Sequence, residues 1–272
     1  MEVKSVDVAG VRIGGGHPVI IAGPCLAESW DVCAAVAERM KSLCSVLAVG
    51  YIFKASFDKA NRSSVTTPRG GGMDAGLELL AKVKQQFDVP ATTDIHLPEQ
   101  AEPAAKVVDL LQVPAFLCRQ TDLLIACAET GKPVNVKKGQ FLAPEDAKNI
   151  VAKLEAAKAN GIVLTERGTT FGYHTLVVDM AGLPVLRSFG WPVCFDATHS
   201  AQRPGAAGTQ SGGNRDAIPP LARAAAAVGI DALFMEVHPE PEKALSDSAT
   251  QWRLADAEAL LRDVLRVWKA RA

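Results

Sequence analysis

The chain has 272 residues, with 29 Lys and Arg against 30 Asp and Glu and a formal net charge of −1. That balance excludes an extended basic face for nucleic acid or an anionic membrane, so any strongly charged site has to be local. A composition 48% hydrophobic and 22% charged is that of an ordinary globular chain, long enough for one (β/α)8 barrel or two small domains.

Residues 1–5 lack a basic start and apolar run, and no stretch reaches the roughly 18 apolar residues of a membrane span. The six cysteines (25, 33, 44, 118, 127 and 194) have no CxxC spacing and no scaffold density, which predicts buried, reduced thiols in a cytoplasmic protein. Aromatic residues, 6% of the chain, are too few for a nucleic-acid stacking surface.

Val6 and Val8, a turn at Gly10, then Val11 and Ile13 predict a β-hairpin within residues 1–17. Beyond it, a β-branched apolar run followed by an amphipathic stretch repeats eight times. Strands are predicted over 19–22, 46–54, 89–95, 110–116, 133–138, 162–166, 193–198 and 232–237. Helices are predicted over 29–43, 73–87, 98–106, 120–130, 144–158, 175–188, 214–228 and 251–270. Pro98 and Pro144, each followed by acids, mark two of the helix starts. Eight βα units with near-continuously apolar strands imply a closed parallel (β/α)8 TIM barrel, one domain over 1–272 with the hairpin plugging its bottom. An open doubly wound sheet would carry a GxGxxG turn after its first strand, and there is none.

In such barrels the active site lies at the C-terminal strand ends. Lys54, Lys59, Arg62, Lys137, Lys138 and Arg167 fall at the ends of the second, fifth and sixth strands. Singly each is an ordinary surface cation. Together they would repel one another unless an anion lies between them, and the arginine fork and lysine point charge suit phosphate and carboxylate. A substrate with several negative charges, phosphorylated, is expected.

Cys25 after the first strand, His199 after the seventh, Glu236 on the eighth and Asp247 beyond it share one arc of the rim once the barrel closes. A thiolate, an imidazole and two carboxylates suit Zn²⁺ or Fe²⁺. Taken alone, Cys25 reads as a small buried hydrophobe and His199 as a loop hydrogen-bonding residue. His238 has the strand parity of Glu236 and competes for the ligand role. No GxSxG elbow is present, so a hydrolase triad lacks its nucleophile; a Schiff-base lysine at Lys54 or Lys137 stays open.

Several of these segments also carry a family resemblance: IAGPC at 21–25, Phe53-Lys54, SFDKANRSS at 56–64, TDIH at 93–96, VNVKKGQ at 134–140 and FDATHS at 195–200. Over essentially the whole chain they resemble the 3-deoxy-D-manno-octulosonate 8-phosphate synthase family. The resemblance implies condensation of phosphoenolpyruvate with D-arabinose 5-phosphate and water, a step toward the Kdo of lipopolysaccharide, by a homotetramer. It implies that Lys54, Lys59, Gln112, Lys137 and Arg167 hold phosphoenolpyruvate. Asn61, Arg62, Ser63 and Asp94 would hold arabinose 5-phosphate, with Arg62 reaching across a subunit interface. Lys54, Lys59, Lys137, His199 and Asp247 are the implied catalytic set.

One form of the family has Asn at the position of Cys25 and works without metal. The cysteine implies the metal-dependent form, with Cys25, His199, Glu236 and Asp247 around Zn, Fe(II) or Mn. Arg69-Gly70-Gly71-Gly72 departs from the family's usual Arg-Gly-Pro-Gly, which is expected to loosen a loop near the sugar phosphate. The alternatives are the related heptulosonate 7-phosphate synthases, which use erythrose 4-phosphate and are not expected to carry KANRSS, and a non-catalytic sugar-phosphate-binding barrel.

Overall fold

The computed structural model describes residues 3–61, 66–207 and 210–271. Strands β1 (Val6–Val8) and β2 (Val11–Ile13) pair as an antiparallel hairpin. The barrel follows: β3 (Val19–Gly23), β4 (Gly50–Lys54), β5 (Ala91–Asp94), β6 (Leu110–Val113), β7 (Val134–Lys137) and β8 (Ile162–Glu166). After a rim hairpin of β9 (Thr169–Gly172) and β10 (Thr175–Val177) comes β11 (Val193–Asp196). A second rim hairpin, β12 (Gln202–Ala207) and β13 (Gln210–Gly213), precedes β14 (Ala232–His238) and the short β15 (Trp252–Arg253). Parallel pairing runs β3 to β8 in order, then β11 and β14, and β14 pairs back onto β3, so eight strands close a ring.

Nearly every residue of these eight strands is buried. A barrel strand has helices on one face and the packed interior on the other, so its sequence is apolar throughout rather than alternating. The hairpin sits under the N-terminal strand ends: a Cβ on Gly50, which opens β4, would strike Val11, and one on Gly161, just before β8, would strike Val6. Val6, Val8 and Ile13 are buried by this contact.

Helix α1 (Trp30–Leu47) shows why the helices form. The Ser29 side chain accepts the Val32 N–H at 3.2 Å, capping the start. Cys33, Val36, Ala37, Met40, Leu43 and Cys44 recur every three or four residues and are all buried. That spacing carries the helix to Leu47, where Ala48 ends it in the left-handed region at φ 54°. The strand predicted from residue 46 therefore starts only at Gly50, and Val46 is an exposed helical residue.

Other boundaries differ for local reasons. Residues 175–177 are strand, not helix, because Tyr173 and His174 adopt positive φ and turn the chain back on β9; the helix there is only Gly182–Ser188. The strand predicted to 198 ends at Asp196, whose side chain accepts the His199 N–H at 2.9 Å and caps a short helix, Ala197–Ser200. The helix predicted from 251 begins at Ala257, after β15 has paired with β14. The hairpin of β12 and β13 fell in no predicted element. Its Gly-, Gln- and Ser-rich strands carry no apolar periodicity.

Gly23 positions the site. At the ends of β3 and β4 the chains approach so closely that a Cβ on Gly23 would collide with the Lys54 carbonyl. All six cysteines are buried and unpaired, as expected. No helix among the described residues is long and apolar enough to cross a membrane.

Candidate active site

A cavity of about 570 Å³ opens at the C-terminal ends of the strands. Lys54, Lys59, Asp94, Lys137, Arg167 and Asp247 line it, together with Asn61, Gln112 and His199. Each belongs to a strand end or the loop after it, so the ring delivers to one space residues up to 193 positions apart (Lys54 to Asp247). Arg62 and Ser63 lie outside the described residues.

The cations do not stand free of acids. Lys54 Nζ donates to Glu236 Oε1 at 2.8 Å and to the Cys25 carbonyl at 3.3 Å, and lies 3.9 Å from Asp94 Oδ2. Lys59 Nζ is 3.7 Å from Glu236 Oε1. Lys137 pairs with the buried Asp196 and packs over the Phe234 ring. The expectation that these cations need an outside anion to relieve mutual repulsion is therefore corrected. Acids on the same strand ends interleave with them, which a list of cations by strand does not show. Arg167 differs: Nη2 donates to Gln202 Oε1 at 3.0 Å, while its buried Nη1 has no hydrogen-bond partner among the described residues.

Lys138 does not join the set. Its buried ammonium donates to the Leu142 carbonyl at 3.0 Å and Thr169 Oγ1 at 3.1 Å, with Glu166 Oε2 3.4 Å away. Adjacent strand residues point to opposite sides, so Lys137 takes the cavity and Lys138 a pocket behind it.

A hydrogen-bonded layer supports the cavity floor. Ser56 Oγ donates to Asp94 Oδ2. Gln112 Nε2 donates to Asp94 Oδ1 at 2.6 Å, Asn135 Nδ2 to Gln112 Oε1 at 3.0 Å, and Thr165 Oγ1 to Asn135 Oδ1 at 2.6 Å. Burial alone would raise the Asp94 pKa, but the Lys54 and Lys59 ammoniums outweigh it and hold the carboxyl well below its usual range.

Beside Lys54, ligand atoms of Cys25, Glu236 and Asp247 all lie within 4.8 Å of one another. His199 Nε2 is 3.7 Å from both Glu236 Oε1 and Asp247 Oδ2, and its Nδ1 is 2.7 Å from Asp196 Oδ2. All four residues read from the sequence as one arc thus converge. Cys25 Sγ lies 2.9 Å from Ser246 Oγ and 3.3 Å from Asp247 Oδ2, and the Cys25 N–H donates to Gln251 Oε1. Burial raises the Cys25 thiol well above its usual range, and Asp247 and Glu236 add to the rise. Glu236 Oε2 is buried with no hydrogen-bond partner among the described residues. A sulfur, an imidazole nitrogen and two carboxylates, one with an oxygen left over, fit a divalent transition metal.

His238 is not a fourth competitor. Its ring nitrogens are engaged with Glu28 Oε1 at 2.7 Å and the Glu240 N–H at 3.0 Å. Asp196, Ser246 and Gln202 were missed as site residues. Asp196 stands inside the FDATHS motif and Ser246 beside Asp247, so their sequence neighbours were the available signal; Gln202 had none.

Fold and cavity together define a (β/α)8-barrel enzyme. The chain belongs to the DAHP synthetase I family, whose model matches residues 2–269. Its relatives include proteins named 2-dehydro-3-deoxyphosphooctonate aldolase from three distant bacteria. One from Citrifermentans bemidjiense is 56% identical over 260 residues, 95% of each chain. One from a Cyanothece species is 55% identical over 271 residues, 99% of each chain. One from Fusobacterium nucleatum is 52% identical over 269 residues, 98% of this chain and 97% of the relative.

Proposed function

We propose that this chain condenses phosphoenolpyruvate with D-arabinose 5-phosphate and water, giving 3-deoxy-D-manno-octulosonate 8-phosphate and inorganic phosphate, a step of Kdo and lipopolysaccharide biosynthesis. The observation that carries the reading is one cavity lined by Lys54, Lys59, Lys137 and Arg167 together with His199 and Asp247, with Cys25 and Glu236 directly beside it in contact with Lys54. The names of relatives 51–56% identical favour the eight-carbon product over a seven-carbon one.

C3 of the enol attacks the aldehyde carbon while water adds at C2, and the C2–O bond to phosphate breaks. One proton from water ends on the new hydroxyl and the other leaves with phosphate. Lys54, Lys59, Gln112, Lys137 and Arg167 hold phosphoenolpyruvate, the Arg167 fork offering its unpartnered Nη1 to the carboxylate or phosphate. Asn61 and Asp94 hold the sugar phosphate, with Arg62 and Ser63. Because the cations are already fixed by acids, little reorganisation accompanies the charge developing on the departing phosphate. Asp196 orients the His199 imidazole through Nδ1, leaving its Nε2 facing Glu236 and Asp247, and His199 and Asp247 line the cavity the aldehyde would enter. A divalent metal held by Cys25, His199, Glu236 and Asp247 would supply Lewis-acid orientation of the aldehyde or activation of water. The proposal includes a single domain over 1–272, supported by the one closed ring of strands, and a cytoplasmic homotetramer, as the family resemblance implies.

The test is release of phosphate from phosphoenolpyruvate with arabinose 5-phosphate, erythrose 4-phosphate or no sugar, before and after dipicolinate. Turnover with arabinose 5-phosphate alone is expected. Turnover with erythrose 4-phosphate alone would overturn the reading, and borohydride trapping of substrate on Lys54 or Lys137 would assign a Schiff-base aldolase instead.

A further inference from the structure

We propose that Glu28 and His238 form a clasp that positions the Asp247 loop against Cys25 and Glu236, and so sets the affinity of the site for its metal. The inference rests on the metal-site reading above. Three of the four ligands come from three segments, and one carboxylate, standing on the first of them, is hydrogen-bonded to the other two. Glu28 stands three residues after Cys25 on the same stretch of chain. Its Oε1 meets His238, two residues beyond Glu236 on β14, and its Oε2 accepts the Leu245 N–H at 3.1 Å, two residues before Asp247.

The hydrogen bonds fix the proton on the ring. Glu240 donates its N–H to His238 Nδ1, so Nδ1 is the acceptor and the imidazole proton sits on Nε2, donating to Glu28. Glu28 then accepts from both segments, one through each oxygen. Burial pushes its pKa up, but the bonds from His238 and Leu245 outweigh that and keep it ionised. His238 can reach Glu28 because the pairing of β14 with β3 ends at Glu236 and Gly23. Beyond that point the β3 chain has turned away and left room for a side chain. Parity alone left His238 open as a competing ligand, and its bond to Glu28 takes it out.

The tie bears on a loop in which Asp247 sits at φ 47°, a left-handed conformation uncommon outside glycine although aspartate is among the residues that tolerate it. Leu245, its neighbour in the loop, is about half exposed. Released from Glu28, the loop would relax and its carboxylate would spend less time within reach of Cys25.

The experiment measures Zn²⁺ affinity of the metal-stripped full chain by competition with a chromophoric chelator, beside amide exchange at Leu245. His238→Phe keeps a ring and loses both hydrogen bonds, whereas His238→Gln keeps one donor and one acceptor. His238→Phe is expected to weaken Zn²⁺ binding by about tenfold or more, the usual effect of losing an outer partner of a metal site. Leu245 exchange should speed up in the same variant, and His238→Gln should stay at the wild-type affinity. Unchanged affinity in His238→Phe, or an equal loss in both variants, would overturn the clasp. If His238→Phe does not fold, Glu28→Gln decides in its place, since it leaves the ring and removes one acceptor. A wild-type chain that takes up no Zn²⁺ would overturn the metal reading and this inference with it. Tight wild-type binding with a silent His238→Phe would overturn the clasp alone.

Discussion

Glu236 Oε1 lies 2.8 Å from Lys54 Nζ, and both side chains are almost wholly buried. Removing one partner of such a pair strands the other charge away from water. Lys54→Met is expected to cost about 3–5 kcal/mol of stability and to lower turnover by about 100-fold or more. The double variant Lys54→Met/Glu236→Gln should recover most of the stability and none of the activity. Urea midpoints and phosphate release separate the two effects.

The metal prediction follows from the donor set. Dipicolinate should abolish phosphate release by the wild-type chain, and Zn²⁺, Fe²⁺ or Mn²⁺ should restore it. Cys25→Asn should keep turning over in the chelator, since asparagine offers no thiolate to bind an ion yet fills the same buried position. Equal chelator sensitivity in the two proteins would contradict the assignment.

Asp94 gives a pH dependence with a defined sign. Its folded pKa is depressed, because Lys54 and Lys59 outweigh burial, so its contribution to stability is present above the ordinary aspartate value near roughly 4. That contribution drains away as pH falls below about 4 toward the depressed folded value. Between about pH 4 and 2 the Asp94→Asn chain should lose stability less steeply than wild type, by about one proton or ~1.4 kcal/mol per pH unit. Urea midpoints across that range check it. Parallel slopes would show that Asp94 does not titrate on unfolding.

Gly23→Ala is expected to be among the most damaging single-methyl additions in the chain. The new Cβ would meet the Lys54 carbonyl, a backbone atom that cannot rotate away. A loss of about 4 kcal/mol or more is expected, read as soluble yield and thermal midpoint.

The barrel was legible because its strands are hidden on both faces and its helices on one, two patterns that sequence carries directly. Cys25, His199, Glu236 and Asp247 were legible as a group because ring closure, once counted, makes the first and eighth strands neighbours. Lys138 was misread for want of one residue's parity against Lys137. His238 stayed open as a competing ligand because parity does not reveal where a ladder stops. The acids that neutralise the cavity lysines were visible as residues but not as partners, since Asp196 and Lys137 are 59 positions apart. The rim hairpin at 169–177 turns on left-handed Tyr173 and His174, residues that signal no turn by type.

The stopper formed by Val6, Val11 and their neighbours covers the foot of the barrel, and the cavity opens at the far, C-terminal rim. In the proposed reaction two phosphorylated reactants would enter there, and one sugar acid phosphate and inorganic phosphate would leave. On that reading, whichever molecule seats innermost would have to arrive first and depart last, an order that product-inhibition kinetics would reveal.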